Sequence, residues 1–185
     1  MSSIIKVNEI QDGGGNTILS TDGSGTVTQT RTGIIEIDMW RLTSNLTLTG
    51  DTSTNITANL ERCDTNNFGY IGTGMSESSG VFTFPKTGIY QVTAIGGLFG
   101  GLDTTFGRVA IHTTTDNSTY TEASKQNCSY KNGEHGQSIN EIFFDVTNTT
   151  THKVKFICRH QNSGTLRGDS DANRTTFKFI RLGDT

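Results

Sequence analysis

The most regular pattern of apolar and polar positions in the 185-residue chain runs from residue 80 to residue 94. Its apolar members on shared faces are Phe82 and Phe84 in the first half, then Tyr90, Val92 and Ala94 in the second. Such alternation is typical of half-buried antiparallel strands. Pro85, the only proline, lacks a backbone N–H and belongs at a strand end, while Gly88 can adopt the φ of a turn. The stretch predicts two strands joined by a bend.

Similar runs follow one another along the chain, and no 12-residue stretch shows the 3.6-residue period of a helix. The further strand candidates are 35–40, 46–48, 56–60, 106–112, 120–123, 142–146, 154–160 and 175–182. Turn signals every 8–12 residues between short strands are typical of sandwiches and jelly rolls. We therefore predict an all-β sandwich or jelly roll of eight to ten short strands. The carboxylates of Glu36, Asp38, Glu141 and Asp145 alternate with apolar residues, so we expect them on solvated strand faces.

Two large apolar side chains, Phe143 and Ile157, fall on the faces opposite the core residues of their strands. A contiguous apolar patch on an outer face usually marks an interface. The pattern indicates subunit contacts in a trimer or dimer, and the alternative is ordinary scatter of single surface hydrophobes.

Residues 1–28 differ from the body of the chain, since short β-prone runs alternate there with turns rich in Gly, Ser and Asp-Gly. A hairpin of this size cannot bury enough surface to be stable alone in water. We interpret 1–28 as a docking segment and 29–185 as the head domain; the alternative is a partly ordered tail. The candidate docking residues are Ile4, Ile5, Val7, Ile10, Ile18 and Leu19.

Composition narrows the classes of protein. Hydrophobic residues make up 31% of the chain, which suits either a mostly-β protein with many turns or a subunit that completes its core against copies of itself. A net charge of −3 argues against a nucleic-acid surface. The N-terminus lacks a charged-then-apolar segment and the chain has no 18-residue apolar run, so we expect neither a signal peptide nor membrane insertion. The three cysteines lack metal-ligand spacing and are expected to be free thiols.

The first stretch resembles the G-x-F-x-x-P-x-x-G-x-Y signature of the complement globular-head and tumour-necrosis-factor-like jelly rolls. The matching residues are Gly80, Phe82, Pro85, Gly88 and Tyr90. The run 176–182 is similar to the last strand of that family, and the pair 142–146 and 154–160 falls where its penultimate strands are expected. The resemblance covers roughly residues 33–185.

That resemblance implies a ten-stranded jelly roll and a compact homotrimer, in which aromatic and aliphatic side chains pack around a threefold axis. The candidates for trimer or core packing are Phe82, Phe84, Tyr90, Phe143, Ile157, Phe177 and Phe179. The runs 4–10 and 19–26 are similar to segments that begin structural proteins of tailed bacteriophages. The resemblance therefore implies a virion structural protein.

Candidate chemistry is sparse. No spacing typical of a catalytic triad, a zinc site or a phosphate loop occurs, so the sequence predicts no enzyme and no cofactor. The stretch 167–170 spells Arg-Gly-Asp-Ser, the integrin-recognition tetrapeptide, for which chance is an adequate explanation. Asp169, Asp171 and Asn173 supply oxygen atoms without the order of a calcium-binding EF-hand, and a solvated loop is the preferred interpretation.

The leading hypothesis is a homotrimeric virion structural protein, either a surface decoration or a short fibre. It would be made in the host cytoplasm, lie at the virion surface, and bind the capsid or tail through residues 1–28. The second hypothesis is a fibre tip that binds a host receptor or glycan. Its aromatic platforms would be Phe68 and Tyr70 in one polar loop and Tyr130 in another. A depolymerase has little support, because such enzymes need a carboxylate pair in a groove.

Overall fold

A computed structural model of the chain describes residues 7–24, 27–29 and 33–185, with only the backbone at 27–29. The chain divides into two units, Met1–Gly33 and Ile34–Thr185. Within the described ranges, no helix is long and apolar enough to cross a membrane.

The first unit holds a three-stranded antiparallel sheet of β1 (Glu9–Gln11), β2 (Thr17–Thr21) and β3 (Val27–Gln29). The carboxylate of Asp12 accepts hydrogen bonds from the backbone N–H groups of Gly14 and Asn16 at 2.8 and 2.9 Å, which closes the β1–β2 turn. Of the predicted docking residues, Val7, Ile10 and Ile18 are about half exposed and Leu19 is partly buried. Ile4 and Ile5 lie outside the described residues.

The second unit packs two antiparallel sheets face to face. The strands that follow β3 are β4 (Ile37–Leu42), β5 (Leu46–Leu48), β6 (Thr54–Asn55), β7 (Leu60–Arg62), β8 (Ser76–Ser78), β9 (Val81–Thr83), β10 (Gly88–Phe99), β11 (Thr104–Thr114), β12 (Thr121–Ser124), β13 (Cys128–Tyr130), β14 (His135–Val146), β15 (Lys153–His160), β16 (Gly164–Leu166) and β17 (Thr176–Gly183). The all-β jelly roll predicted from the sequence is confirmed. Short strands such as β5, β6 and β16 raise the number of strands above ten.

In what we call the front sheet, β10 pairs along its whole length with β14 on one edge. Its other edge pairs with β17 and, further along, with β16. Beyond them lie β4 and β5, and β7 forms the far edge beside β4. In the back sheet, β15 pairs with β11 on one edge and with β9 and β6 on the other. Strands β12 and β13 pair with β11, and β8 pairs with β9.

The core lies between the sheets and is centred on Phe82. The centroid of its ring is 5.4 Å from Trp40, 5.5 Å from Phe156 and 5.2 Å from Phe179. Phe84, Tyr90 and Phe177 are also fully buried there. Edge-to-face and tilted ring pairs of this kind contribute beyond the area that they bury.

Both glycines of the 80–90 stretch are required by close backbone approaches. Gly80 has a φ of 83°, and a Cβ there would lie 2.2 Å from the carbonyl oxygen of Ile56. Gly88 has a φ of 136°, and its Cβ would lie 2.3 Å from the carbonyl oxygen of Gly183. Only glycine fits such positions. The glycine spacing of the signature thus reflects the way in which the bend packs against neighbouring strands.

The expectation that Glu36 and Asp38 are solvated is wrong, because both carboxylates are buried. In β4 the core-facing side chains are Asp38, Trp40 and Leu42, while Ile37 and Met39 face outward. A period of two defines two faces without showing which one is the core. Glu141 and Asp145 on β14 are exposed as predicted.

Each buried carboxylate has partners that replace water. Asp38 receives bonds from Nε and Nη2 of Arg62 at 2.9 and 3.1 Å and from the backbone N–H of Met75 at 2.7 Å. Glu36 forms an ion pair with Lys86 at 2.9 Å and accepts the N–H groups of Thr73 and Gly74. Burial alone would raise the pKa of Glu36, but the bonds to Lys86, Gly74 and Thr73 lower it below its ordinary value.

Candidate functional site

The outer face of the front sheet is apolar where solvent would favour polar side chains. The side chains of β4, β10, β14 and β17 that point away from the core include seven large apolar ones, which we call the front-face apolar residues. They are Ile37, Met39, Ile89, Ile95, Ile139, Phe143 and Ile180. Antiparallel sheets with one solvated face normally alternate apolar-in and polar-out. This face departs from that rule.

The strand register gathers these side chains into two groups on either side of a polar row, with Phe143, Ile89, Ile180 and Ile37 on one side and Ile95 and Ile139 on the other. Phe143 lies opposite Gln91, Gln91 opposite Ile180, and Ile180 opposite Ile37, so a single row crosses four strands. Phe143 is 67% exposed and Ile139 is 52% exposed. Grouped apolar surface of this kind on a sheet is characteristic of an interface.

A polar row crosses the same face beside the apolar one. Thr93 lies opposite Glu141 on one neighbouring strand and opposite Lys178 on the other. The carboxylate of Glu141 accepts hydrogen bonds from Nε2 of Gln91 at 2.6 Å and from Oγ1 of Thr93 at 3.1 Å. Polar groups held inside an apolar patch fix the register of a partner more than they add affinity.

The outer face of the back sheet is charged. Lys155 lies over the ring of Tyr120 at 4.4 Å, and Arg108 and Arg159 lie 5.6 and 5.7 Å from the ring of Phe106. Arg159 also pairs with Asp51 at 2.7 Å. The charged heads stay in water while their stems cover the sheet, so this face is suited to solvent.

The predicted packing residues fall into two sets. Five are buried in the core of one chain, namely Phe82, Phe84, Tyr90, Phe177 and Phe179. The other two lie on different outer faces: Phe143 belongs to the apolar front face, and Ile157 belongs to the back face, opposite Ala110 and Asn55. The structure therefore does not bring Phe143 and Ile157 into one patch.

Two buried polar side chains join the sheets, and sequence reasoning missed them. Ser138 and Asn140 of the front sheet bond to the backbone of Val109 in the back sheet. Oγ of Ser138 accepts the N–H of Val109 at 3.0 Å, and Nδ2 of Asn140 donates to its carbonyl oxygen at 2.6 Å. They satisfy the backbone of β11 between its short pairings with β12 and β13. Ser138 and Asn140 share the period of Ile142, Phe144 and Val146, which pack in or against the core, and this was a local signal of inward orientation. Their partner was not visible from the sequence.

The predicted ligand-loop aromatics separate as well. Phe68 and Tyr70 are exposed beside β7. Tyr130 is only 7% exposed, because the expected loop contains strand β13 and the Tyr130 hydroxyl bonds to Nε2 of His160. Nδ1 of His160 donates to the carbonyl oxygen of Asn162 at 2.6 Å, which leaves Nε2 to accept from the tyrosine. Burial raises the pKa of Tyr130 to about 12. Tyr130 is thus a core residue and cannot serve as a platform.

All three cysteines are free thiols, as predicted. Cys63 and Cys158 are buried, and Cys128 is partly buried. Burial raises the pKa of each thiol, that of Cys158 to about 12.

Asp169 and Asp171 belong to a loop in which the Asp169 carboxylate accepts hydrogen bonds from the N–H groups of Asp171 and Ala172 and from Nε of Arg174.

No protein-family model matches the sequence, and no curated protein sequence is similar to it. Solved structures do match the fold. Murine APRIL superposes with a TM-score of 0.56 at 10% identity, over 80% of this chain and 98% of that one. The Eiger TNF from S. frugiperda gives 0.54 at 9% identity, over 83% and 96%. The fold is a TNF-like jelly roll.

A third structural likeness comes from a virus. The PRD1 vertex protein P5 superposes on this jelly roll with a TM-score of 0.50 at 13% identity, over 82% of this chain and all of that one. At these identities the likenesses establish the fold alone.

Proposed function

We propose that this protein is a virion structural protein that forms a homotrimer through the front face of its jelly roll. The observation that carries the proposal is the row across four strands in which three of the four side chains are apolar, namely Phe143, Ile180 and Ile37, with Gln91 between the first two. A face of this kind is stable in water only when it is covered. The family resemblance of the 80–90 stretch implies threefold packing of aromatic and aliphatic side chains, and this face supplies them.

A threefold interface is heterologous, so the front face of one copy meets a different surface of the next copy. The charged back face is unsuited to that role. The likeness to the PRD1 vertex protein P5 supports a place on a virus particle, either as surface decoration or as a short fibre. The lean composition of the chain supports an assembled rather than a solitary subunit.

Residues 1–28 serve in this proposal as the attachment to a capsid or tail protein. The described part of the first unit is a small sheet whose apolar side chains are largely exposed. A partner that covers these half-exposed side chains would stabilise so small a sheet. The charge of the chain and its lack of basic clusters do not favour nucleic acid as that partner.

Light scattering on the purified full chain tests the trimer. We expect a mass of three times the 20.0 kDa of one chain, and a stable monomer would contradict the proposal. Deletion of residues 1–28 tests the attachment separately. The truncated protein should keep its fold and oligomeric mass but fail to enter particles in a complementation assay, and normal incorporation would refute the anchor.

A second candidate function, a tip that binds a receptor or glycan, is favoured by one further observation. Phe68 and Tyr70 present exposed rings in a groove at the edge of the front sheet that is remote from Phe143. Four strand spacings separate β14 from β7, or roughly 19 Å. Ile37 and Met39, at the other end of the front face, lie on β4 next to β7, so the groove borders that end of the face.

A further inference from the structure

A groove of about 560 Å³ opens beside β7, the far edge strand of the front sheet. Its lining residues are Glu61, Arg62, Cys63, Asp64, Phe68, Gly69 and Tyr70. We propose that this groove binds a neutral saccharide. The inference rests on the second candidate function and gives it a site, lined by residues of the front-sheet edge and the loop that follows it.

The aromatic wall of the groove rests on a fixed cation. The guanidinium carbon of Arg62 lies 4.6 Å from the ring of Tyr70 and 5.1 Å from the ring of Trp40. Arg62 cannot easily move, because it forms two bonds to the buried carboxylate of Asp38 and a third to the carbonyl oxygen of Met75 at 2.6 Å. Tyr70 nevertheless remains 50% exposed. A supported, half-exposed ring is a suitable platform for the apolar C–H face of a pyranose.

The polar floor of the groove is held from beneath by a second arginine. Arg41 is fully buried, and its Nε, Nη2 and Nη1 atoms bond to Glu61 at 2.7 Å, Asp64 at 3.2 Å and Thr65 at 2.8 Å. Arg41 contacts one oxygen of each carboxylate, and each carboxylate has a second oxygen able to accept hydrogen bonds. Two carboxylates fixed near aromatic rings are suited to a ligand that presents several hydroxyl donors at once.

The loop that carries both rings is also fixed. Asn66 and Asn67 have φ values of 54° and 63°, and the N–H of Phe68 donates to the carbonyl oxygen of Thr65 at 3.0 Å, which makes a tight turn. One residue beyond Tyr70, Ile71 exchanges two backbone hydrogen bonds with Ile37 at 2.9 and 3.1 Å. A site whose geometry exists before binding loses little entropy when the ligand arrives.

Charge decides which class of ligand the groove takes. Arg41 is engaged by Glu61 and Asp64, and Arg62 is engaged by Asp38. Neither arginine of the groove is therefore available to an anion, so the site is unsuited to a phosphate, a nucleic acid or an acidic polysaccharide. A neutral saccharide needs only the aromatic faces and the hydrogen-bond acceptors that are present.

Saturation-transfer NMR on the full chain tests the proposal with a panel of neutral sugars: glucose, galactose, mannose, rhamnose, N-acetylglucosamine and their common disaccharides. Trp40, the only tryptophan, contacts Arg62, so its fluorescence reports occupancy of the groove and gives the affinity. The test variant is Tyr70→Ala. The matched control is Tyr120→Ala, which removes another surface tyrosine that also stacks on a cation, on the back sheet.

We expect at least one sugar to receive saturation and to change the Trp40 signal. Tyr70→Ala should weaken its binding by about tenfold, while Tyr120→Ala should leave the affinity unchanged. Absence of binding across the panel, equal binding by the two variants, or binding of oligolysine in place of sugars would overturn the inference. Light scattering on the same samples reports the trimer separately, so the failure of one proposal is distinguishable from the failure of the other.

Discussion

The two outer faces of the jelly roll are built from strands of similar length and opposite chemistry. The front face carries Ile, Met and Phe side chains that the strand register groups on either side of a polar row. The back face carries Arg and Lys heads that lie over single aromatic rings. Both are outer faces of antiparallel sheets, so the fold alone does not explain the difference. The proposed trimer, with a partner on the front face and solvent on the back face, would explain it.

The largest effect is expected from a charge placed in the front patch. Phe143→Glu should reduce the mass in solution from three chains to one, because it would bury an unpaired carboxylate in the interface. The matched change on the back face, Ile157→Glu, should leave the mass unchanged. Light scattering at a fixed protein concentration measures both. A trimeric Phe143→Glu variant, or a monomeric Ile157→Glu variant, would contradict the assignment of the faces.

Two arginine substitutions compare the stability that a buried ion pair of the front sheet contributes with that of an exposed ion pair on the back sheet. Arg62→Ala leaves the buried carboxylate of Asp38 without its cation and should cost about 3 kcal/mol of unfolding free energy. Arg159→Ala breaks an exposed pair with Asp51 and should cost less than about 1 kcal/mol. For the Arg159 variant, the free energy of unfolding is measured by urea denaturation with Trp40 fluorescence as the signal. For the Arg62 variant the signal is circular dichroism, because Arg62 contacts Trp40. Equal losses would show that Asp38 is not held as the structure indicates.

Removal of the hydrogen bonds that connect the two sheets is expected to have an intermediate effect on the free energy of unfolding. Asn140→Ala leaves the carbonyl oxygen of Val109 buried without a donor and should cost about 2 kcal/mol. Asn127, which accepts a bond from Arg108 at the surface, provides the control, and Asn127→Ala should cost less than about 0.5 kcal/mol. Thermal unfolding of both variants tests the difference. If Asn140→Ala costs no more stability than Asn127→Ala, a water molecule replaces the lost donor and the prediction is contradicted.

The smallest effect concerns acid. The lowered pKa of Glu36 means that its ion pair stabilises the fold above the ordinary glutamate pKa, and that this stability is lost as the pH falls through the lowered value. Lys86→Met should therefore move the acid limb of unfolding to higher pH by less than about one unit. Lys125→Met breaks the exposed pair with Glu122 and should move it less. The free energy of unfolding of the three proteins, measured from pH 2 to 7, tests this order. If the Lys86→Met variant and the unchanged protein unfold at the same acid pH, the Glu36–Lys86 pair has no role in acid stability.

The local alternation of apolar and polar residues around Phe82, Phe84 and Tyr90 was sufficient to predict the fold class. It failed at Glu36 and Asp38 because their burial depends on Lys86 and Arg62, which lie in other strands and turns and are brought near only by folding. The prediction that Tyr130 is a ligand platform was wrong for a related reason, because a strand of three residues inside a polar stretch leaves no periodic signal. The groove was predicted in part: its aromatic residues Phe68 and Tyr70 were identified. The roles of Arg41 and Arg62 in fixing it depend on pairings across 20 and 24 residues.

The chemistry of the three thiols has a practical consequence. Cys63, Cys128 and Cys158 all have raised pKa values, so at neutral pH they react slowly with maleimides and do not readily cross-link copies of the chain. A cysteine introduced at Leu102, an exposed position on a loop, would then be the one site that takes an electron-dense label. Gold attached there would mark the position of this loop in micrographs of any assembly that the protein forms.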